Sequence, residues 1–307
     1  MSPIDAQPNG TKSQPNEDKT KSKESGLRNQ EIEEATNRLF IHRISSALIP
    51  LFIKLRITPN SVSCMGALSG LAAAWLYYDF ANPLACVLGL LCMIGWHVFD
   101  GADGQLARQT GQTSPLGFLI DGVCDYATFI FVYVALALAL SLEYGPGAWF
   151  IVVSAGACHA IQAAAFEMQR EFYIRWTGDE EYAQCLERTD EPSASTTVNI
   201  IARSYRVLQE IFRPLPFELE SRLKEASLTG ERRIRAQKNY QTNFKSIVVK
   251  WSLLSANNRT IAIFVCCISG QPLAYFVFEI VILSLTMFGL LKMNKSAKNA
   301  FAAQLDL

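Results

Sequence analysis

Six runs of apolar residues decide what this chain can fold into. They lie at about 62–80, 84–99, 115–142, 147–166, 256–270 and 273–291. A helix needs roughly 20 such residues to cross the hydrocarbon core of a bilayer, and several runs reach or exceed that length. The second continues as helix to about residue 108. The fifth is short and spans only if helix extends back into 250–255. Backbone inside hydrocarbon must satisfy its own hydrogen bonds, and continuous apolar runs of this length do so as helices. The expected fold is an all-α membrane protein, a six-transmembrane-helix bundle.

Charge gives the orientation. The chain carries 28 Lys plus Arg, balanced by 28 Asp plus Glu. Every Lys and Arg falls before residue 57, at Arg108, between Arg170 and Arg259, or from Lys292 onward. The loops near 81–83, 143–147 and 270–272 hold none. With six crossings, all the basic places lie on one side, which is the positive-inside pattern. Both termini are therefore expected on the cytoplasmic side. A chain with this charge balance and these spans is not expected to bind nucleic acid.

Composition then divides the chain. Residues 1–29 are rich in Asn, Gln, Ser, Lys and Glu and cannot bury a core, so a disordered tail is expected. Across 30–57, Leu39, Phe40, Ile44, Leu48, Leu51, Phe52 and Leu55 recur at helical spacing among Arg38, Arg43 and Lys54. That pattern reads as an amphipathic helix lying at the membrane interface. Residues 58–292 read as the membrane domain, interrupted by a charged, helical cytoplasmic insertion at 171–250, with helical patterns around 197–212 and 217–226. Residues 293–307 read as a cytoplasmic tail. The N-terminus is polar and its first apolar run starts late, so no cleavable signal peptide is expected. The basic cluster Arg232, Arg233, Arg235 and Lys238 reads as a solvated helix face or as an attractor of anionic headgroups. Eight cysteines show no metal-ligand spacing and read as small core filler.

The chemistry concentrates between Asp100 and Asp125, in D-G-A-D-G-Q-L-A-R-Q-T-G-Q-T-S-P-L-G-F-L-I-D-G-V-C-D. At 100° per residue, Asp100, Asp103, Gly104 and Ala107 share a helix face, as do Gly117, Asp121 and Asp125 on the next helix. Gly111 and Pro115 supply a turn between them, so the two acidic faces should meet. Carboxylates brought together inside membrane sequence repel one another, and a divalent cation removes the conflict. Hard oxygen donors suit Mg²⁺ or Mn²⁺, and four carboxylates can hold two ions. The small residues leave room for a ligand against backbone, and Arg108 can face a diphosphate.

Other polar residues carry weaker signals. Thr58-Pro59-Asn60 reads as a helix start. His97 reads as a packed or hydrogen-bonded histidine. His159, Gln162, Glu167 and Arg170 read as polar helix contacts or as residues reaching the groove. Arg259 either snorkels or binds an anionic acceptor. Glu279 lies within the sixth run and needs a partner or water.

Eight positions, Asp100, Asp103, Gly104, Ala107, Arg108, Gly117, Asp121 and Asp125, satisfy D-x2-D-G-x2-A-R-x8-G-x3-D-x3-D. At ordinary residue usage a chance match is on the order of 10⁻⁸. The stretch resembles the signature of the CDP-alcohol phosphotransferase family, integral membrane enzymes of phospholipid synthesis. The likeness implies transfer of a substituted phosphate from a CDP-alcohol to an acceptor hydroxyl, with release of CMP. It implies that Asp100, Asp103, Asp121 and Asp125 hold two divalent ions and that Asp125 also serves as the base. It further implies nucleotide contacts from Thr58, Pro59, Asn60, Gly104, Ala107, Arg108, Ser114 and Gly117, and a homodimer. The donor is either CDP-diacylglycerol, with a soluble alcohol acceptor, or a soluble CDP-alcohol, with a lipid acceptor. The run from Ala107 to Asp125 is similar to choline and ethanolamine phosphotransferases, whereas a six-span size is more typical of the CDP-diacylglycerol users.

Two other readings compete. A membrane metal-ion transporter would also carry intramembrane carboxylates, but these four cluster at one end of the spans instead of marking a path. A non-catalytic member of the same family would be expected to have lost part of the motif, which is intact here.

Overall fold

The computed structural model describes Ile32, Glu34 and residues 40–177, 206–226 and 230–305. Within the expected helix at 30–57, Ile32 and Glu34 are not helical and helix runs from Phe40 to Lys54, while the 1–29 tail and Cys185 lie outside the described residues. Helix is the only regular element among the described residues. In chain order the helices are α1 (His42–Lys54), α2 (Pro59–Tyr78), α3 (Pro83–Thr110), α4 (Pro115–Tyr144) and α5 (Gly147–Thr177). There follow α6 (Phe217–Ala226), α7 (Gly230–Trp251) and a 3₁₀ turn at Ser252–Leu254. The chain ends in α8 (Ala256–Ile268), α9 (Pro272–Val277), a π-helical stretch at Phe278–Leu283 and α10 (Ser284–Leu305).

Local chemistry sets the helix boundaries. The Thr58 side chain accepts from the Ser61 amide, Asn82 from Leu84 and Ala85, and Ser114 from Gly117. Proline takes the first helical position after each of these caps. A capped amide and a preset φ remove much of the cost of starting a helix. Gly111, with φ of 67°, ends α3 in the left-handed region that disfavours a side chain. The expected Thr-Pro-Asn start and the Gly111–Pro115 turn are both present.

Five helical stretches are long and apolar enough to cross a membrane: 83–110, 120–144, 147–177, 234–268 and 272–304. The chain is thus a multi-pass, all-α membrane bundle. The first of the six sequence runs forms α2, which is not among those five. Its glycines, alanines and serines lower its hydropathy, yet they are what allow it to pack closely. A methyl group on Gly70 would sit 2.5 Å from the Thr128 side chain of α4. Ser69 Oγ donates to the Cys92 carbonyl of α3 at 2.7 Å. α2 is thereby wedged between α3 and α4, the two helices that carry the aspartates.

Two apolar cores result. One joins α2 to α5 with α8 and α9 through Tyr77, Met93, Trp96, Phe129, Tyr133 and Phe276. The other gathers residues of α5, α7 and α10. The 31 residues of α5 alone rise about 46 Å, against roughly 30 Å of hydrocarbon. In this second core Phe172, Tyr240, Phe244, Trp251 and Phe301 pack together with Leu215 and Leu223. Residues 171–177 complete α5, and 230–251 form α7, so both ends of the expected insertion belong to long helices. Residues 293–305, expected as a tail, are the last turns of α10, with Asn294, Ala297 and Phe301 buried. The expected helix at 217–226 is present as α6.

α1 packs against the C-terminal half of α3. Ile49 and Phe52 join Val62, Ala102 and Leu106 in a third small cluster. Ser45 Oγ donates to the Val98 carbonyl at 2.8 Å, and Leu51, Ile53 and Leu55 are exposed.

Candidate active site

The chain turns at Gly111, and the C-terminal half of α3 and the N-terminal half of α4 face each other across a cleft that Trp96 of α3 bridges to Asp125 of α4. α2 closes the third side. The cleft between them is lined by Ser63, Gly66, Trp96, Asp100, Asp103, Asp121, Cys124 and Asp125. All four aspartates of the signature thus meet in one place, as their spacing led us to expect.

They are not equivalent. One carboxylate oxygen from each of Asp100, Asp103 and Asp121 lies within 4.8 Å of the others, close enough to share a metal ion. Asp103 is 4% exposed and accepts from Ser63 Oγ at 2.5 Å and from the Gly104 amide at 2.5 Å. Asp125 is held differently: its Oδ1 accepts the indole N–H of Trp96 at 3.1 Å. Three carboxylates at this separation disfavour each other's ionised forms unless a cation lies among them. The donor set is all oxygen and acidic, which fits a hard divalent ion such as Mg²⁺ or Mn²⁺.

The remaining signature residues lie on the same two helices, beyond the eight residues that line the cleft. The Arg108 guanidinium lies over Gly104, where a methyl group would be 3.3 Å from Nη1. A methyl group on Gly117 would be 3.3 Å from Asn60 Oδ1 and 3.1 Å from Ser114 Oγ. The capped starts of α2 and α4, which carry Thr58, Pro59, Asn60, Ser114 and Gly117, therefore adjoin one another. Ala107 is partly buried on the α3 face of the aspartates.

Arg259, one candidate for an acceptor contact, does something else. It is 1% exposed. Its Nε donates to both Glu279 carboxylate oxygens at 3.1 and 3.2 Å, one Nη to Gln162 Oε1 at 2.7 Å, and the other to the Leu254 carbonyl. Glu279, left without a partner by the sequence, also accepts from the Tyr275 hydroxyl at 2.9 Å. Burial and these bonds give the guanidinium a structural role in place of the expected acceptor contact. His97 bonds Thr260 at 3.0 Å and His159 bonds Tyr133 at 3.0 Å, so both are hydrogen-bonded core histidines. Glu167 pairs with Arg170 along α5.

Ser63 and Trp96 were not singled out from the sequence. Trp96 had a legible signal, since it precedes Asp100 by one helical turn and shares its face. Ser63 had none, because it lies 40 residues from the carboxylate it contacts.

A model of the CDP-alcohol phosphatidyltransferase family matches residues 56–212, just over half of the chain and all of the cleft. A phosphatidylinositol phosphate synthase from Mycobacterium marinum is 26% identical over 91 residues. That stretch is 29% of this chain and 37% of the relative, so the chain matches little more than a third of the relative's length.

Proposed function

Because the chain belongs to the CDP-alcohol phosphatidyltransferase family, we propose that it transfers a substituted phosphate from a CDP-alcohol to an acceptor hydroxyl and releases CMP, in synthesis of a phospholipid or related polar lipid. The observation that carries this reading is the meeting of Asp100, Asp103 and Asp121 within 4.8 Å on the helices of the family signature.

In this reading Asp100, Asp103, Asp121 and Asp125 hold two divalent ions, Mg²⁺ or Mn²⁺. Bound there, such ions neutralise the diphosphate and stabilise departing CMP. Arg108 and the starts of α2 and α4 face the phosphates, since a guanidinium and the positive end of a helix both favour anions. Thr58, Pro59, Asn60, Gly104, Ala107, Ser114 and Gly117 complete the nucleotide side. Asp125 takes the proton of the acceptor hydroxyl, whose oxygen bonds the distal phosphorus of the diphosphate. The bond from that phosphorus to the bridging oxygen breaks, and CMP leaves with the oxygen.

The membrane setting follows from charge and packing. α2 makes a sixth crossing between α3 and α4, and the absence of Lys and Arg from the loops near 81–83, 143–147 and 270–272 supports a cytoplasmic cleft and termini. α1, with Leu51, Ile53 and Leu55 exposed, lies at the interface as an amphipathic helix. The active form is a homodimer.

Two donor classes share this chemistry. The name of the mycobacterial relative favours CDP-diacylglycerol with an inositol phosphate acceptor. The likeness of 107–125 to choline and ethanolamine phosphotransferases favours a soluble CDP-alcohol with a lipid acceptor. Purified protein with Mn²⁺ is to be given each set and assayed for CMP. Release with one set identifies the donor. No release with either, from protein that binds Mn²⁺, rejects the transferase reading in favour of a non-catalytic member.

A further inference from the structure

The four aspartates divide into a cluster of three and a fourth held apart, and the group that holds the fourth is Trp96. We infer that Trp96 is a positioning residue: its indole N–H occupies Oδ1 of Asp125 and so presents Oδ2 to the acceptor hydroxyl. This inference rests on the reading of Asp125 as the base.

The argument begins with what an indole can do. Its N–H donates and has no lone pair to accept, and it neither titrates near neutrality nor ligates metal. A carboxylate oxygen bonded to it is oriented without entering proton exchange with it. Ser63, the donor to Asp103, differs, because a hydroxyl can both donate and accept. The carboxylate bonded to the indole is also the one outside the cluster of three.

Trp96 is itself fixed. It is 3% exposed. His97 lies against its ring at 4.3 Å between centroids, and the Phe129 edge meets it at 5.3 Å and 87°. Across from them α2 presents Gly66, where even a methyl group would come within 3.4 Å of Trp96 Cδ1. An indole held on three sides cannot swing with Asp125, so Asp125 conforms to it. Supporting partners of this kind are typically worth about 10- to 100-fold in activity or ligand affinity when removed.

The test uses full-length protein in lipid nanodiscs. Trp96→Phe keeps the ring contacts and loses the N–H. A second variant carries benzothienylalanine at position 96, an isostere with sulfur in place of N–H, in case Phe repacks. CMP release is measured with CDP-diacylglycerol plus inositol phosphate and with CDP-ethanolamine plus diacylglycerol, and Mn²⁺ binding by electron paramagnetic resonance. We expect kcat about 10- to 100-fold lower, with KM for the CDP-alcohol within about twofold of wild type and any fall in Mn²⁺ affinity too small to account for the loss at saturating Mn²⁺. Wild-type kcat in both variants, or a loss confined to Mn²⁺ affinity, overturns the inference.

A readout independent of turnover accompanies this. In protein labelled with ¹⁵N at its five indoles, the Trp96 resonance is identified by its loss in Trp96→Phe, and it should move when Asp125 is changed to Ala. A Trp96 resonance that stays in place refutes the pairing. Substantial turnover by Asp125→Asn rejects the base reading itself, a failure distinct from that of the pairing.

Discussion

Arg259 and Glu279 form an ion pair at 3.1 Å in which both side chains are nearly sealed from solvent, at 1% and 0% exposure. The pair joins α8 to the π-helical stretch before α10, and Gln162 brings in α5 by accepting from Arg259 while donating to the Glu279 carbonyl at 3.1 Å. Tyr275 extends the chain of bonds to Tyr133 of α4 at 2.6 Å. The C-terminal helices, which lie beyond the family match, are thus bonded to the helices that carry the cleft.

Breaking this pair from one side should be costly. Arg259→Met or Glu279→Gln leaves a buried partner uncompensated, at about 3–5 kcal/mol. Thermal unfolding in detergent should show a large loss for each single variant and a smaller one for Arg259→Met with Glu279→Leu. Single variants as stable as wild type would contradict the pairing.

Gly70 should not tolerate a side chain. Its added methyl would meet Thr128 Oγ1 and Cγ2 at 2.5 Å between buried helices. Gly70→Ala is expected to cost about 1–3 kcal/mol by overpacking. Thr128→Ala should recover part of that in the double variant. A neutral Gly70→Ala would show that α2 and α4 can separate freely.

Metal dependence should follow the cluster of three. Asp100→Asn, Asp103→Asn and Asp121→Asn should each weaken Mn²⁺ binding sharply. Ser63→Ala should weaken it about 10- to 100-fold by freeing Asp103. Chelation should abolish CMP release, and added Mn²⁺ or Mg²⁺ should restore it. Unchanged Mn²⁺ affinity in all three Asn variants would remove the metal centre from this cleft.

The second core should be acid-sensitive at Arg213. This arginine binds Glu210 at 2.6 Å and also pairs with the buried Glu220. Its hydrogen bond and charge hold the Glu210 carboxyl below the usual glutamate value. A carboxylate with a depressed folded pKa contributes stability above its unfolded pKa and loses it as pH falls through the folded one. Arg213→Gln should therefore destabilise 206–226 at pH 7 and matter little in acid below the ordinary carboxylate range. Limited proteolysis at the two pH values reads this, and an equal effect at both would speak against the ion pairs.

What the sequence determined by itself was everything written within a few residues. Helix caps such as Thr58, the turn at Gly111 and the facing of Asp100 with Asp103 are effects of spacing up to one helical turn, so they are legible in one dimension. Membrane character is likewise a local sum of hydropathy. Tertiary structure decided the rest. Trp96 reaches Asp125 over 29 residues, Ser63 reaches Asp103 over 40, and Arg259 reaches Gln162 over 97. Residues 293–305 are polar enough to read as a tail, yet Phe301 is fully buried in a core shared with α7. Which side chains a long helix buries depends on the neighbour that packs beside it. That neighbour is chosen by close fits such as Gly70 against Thr128, and no window along the chain contains both partners.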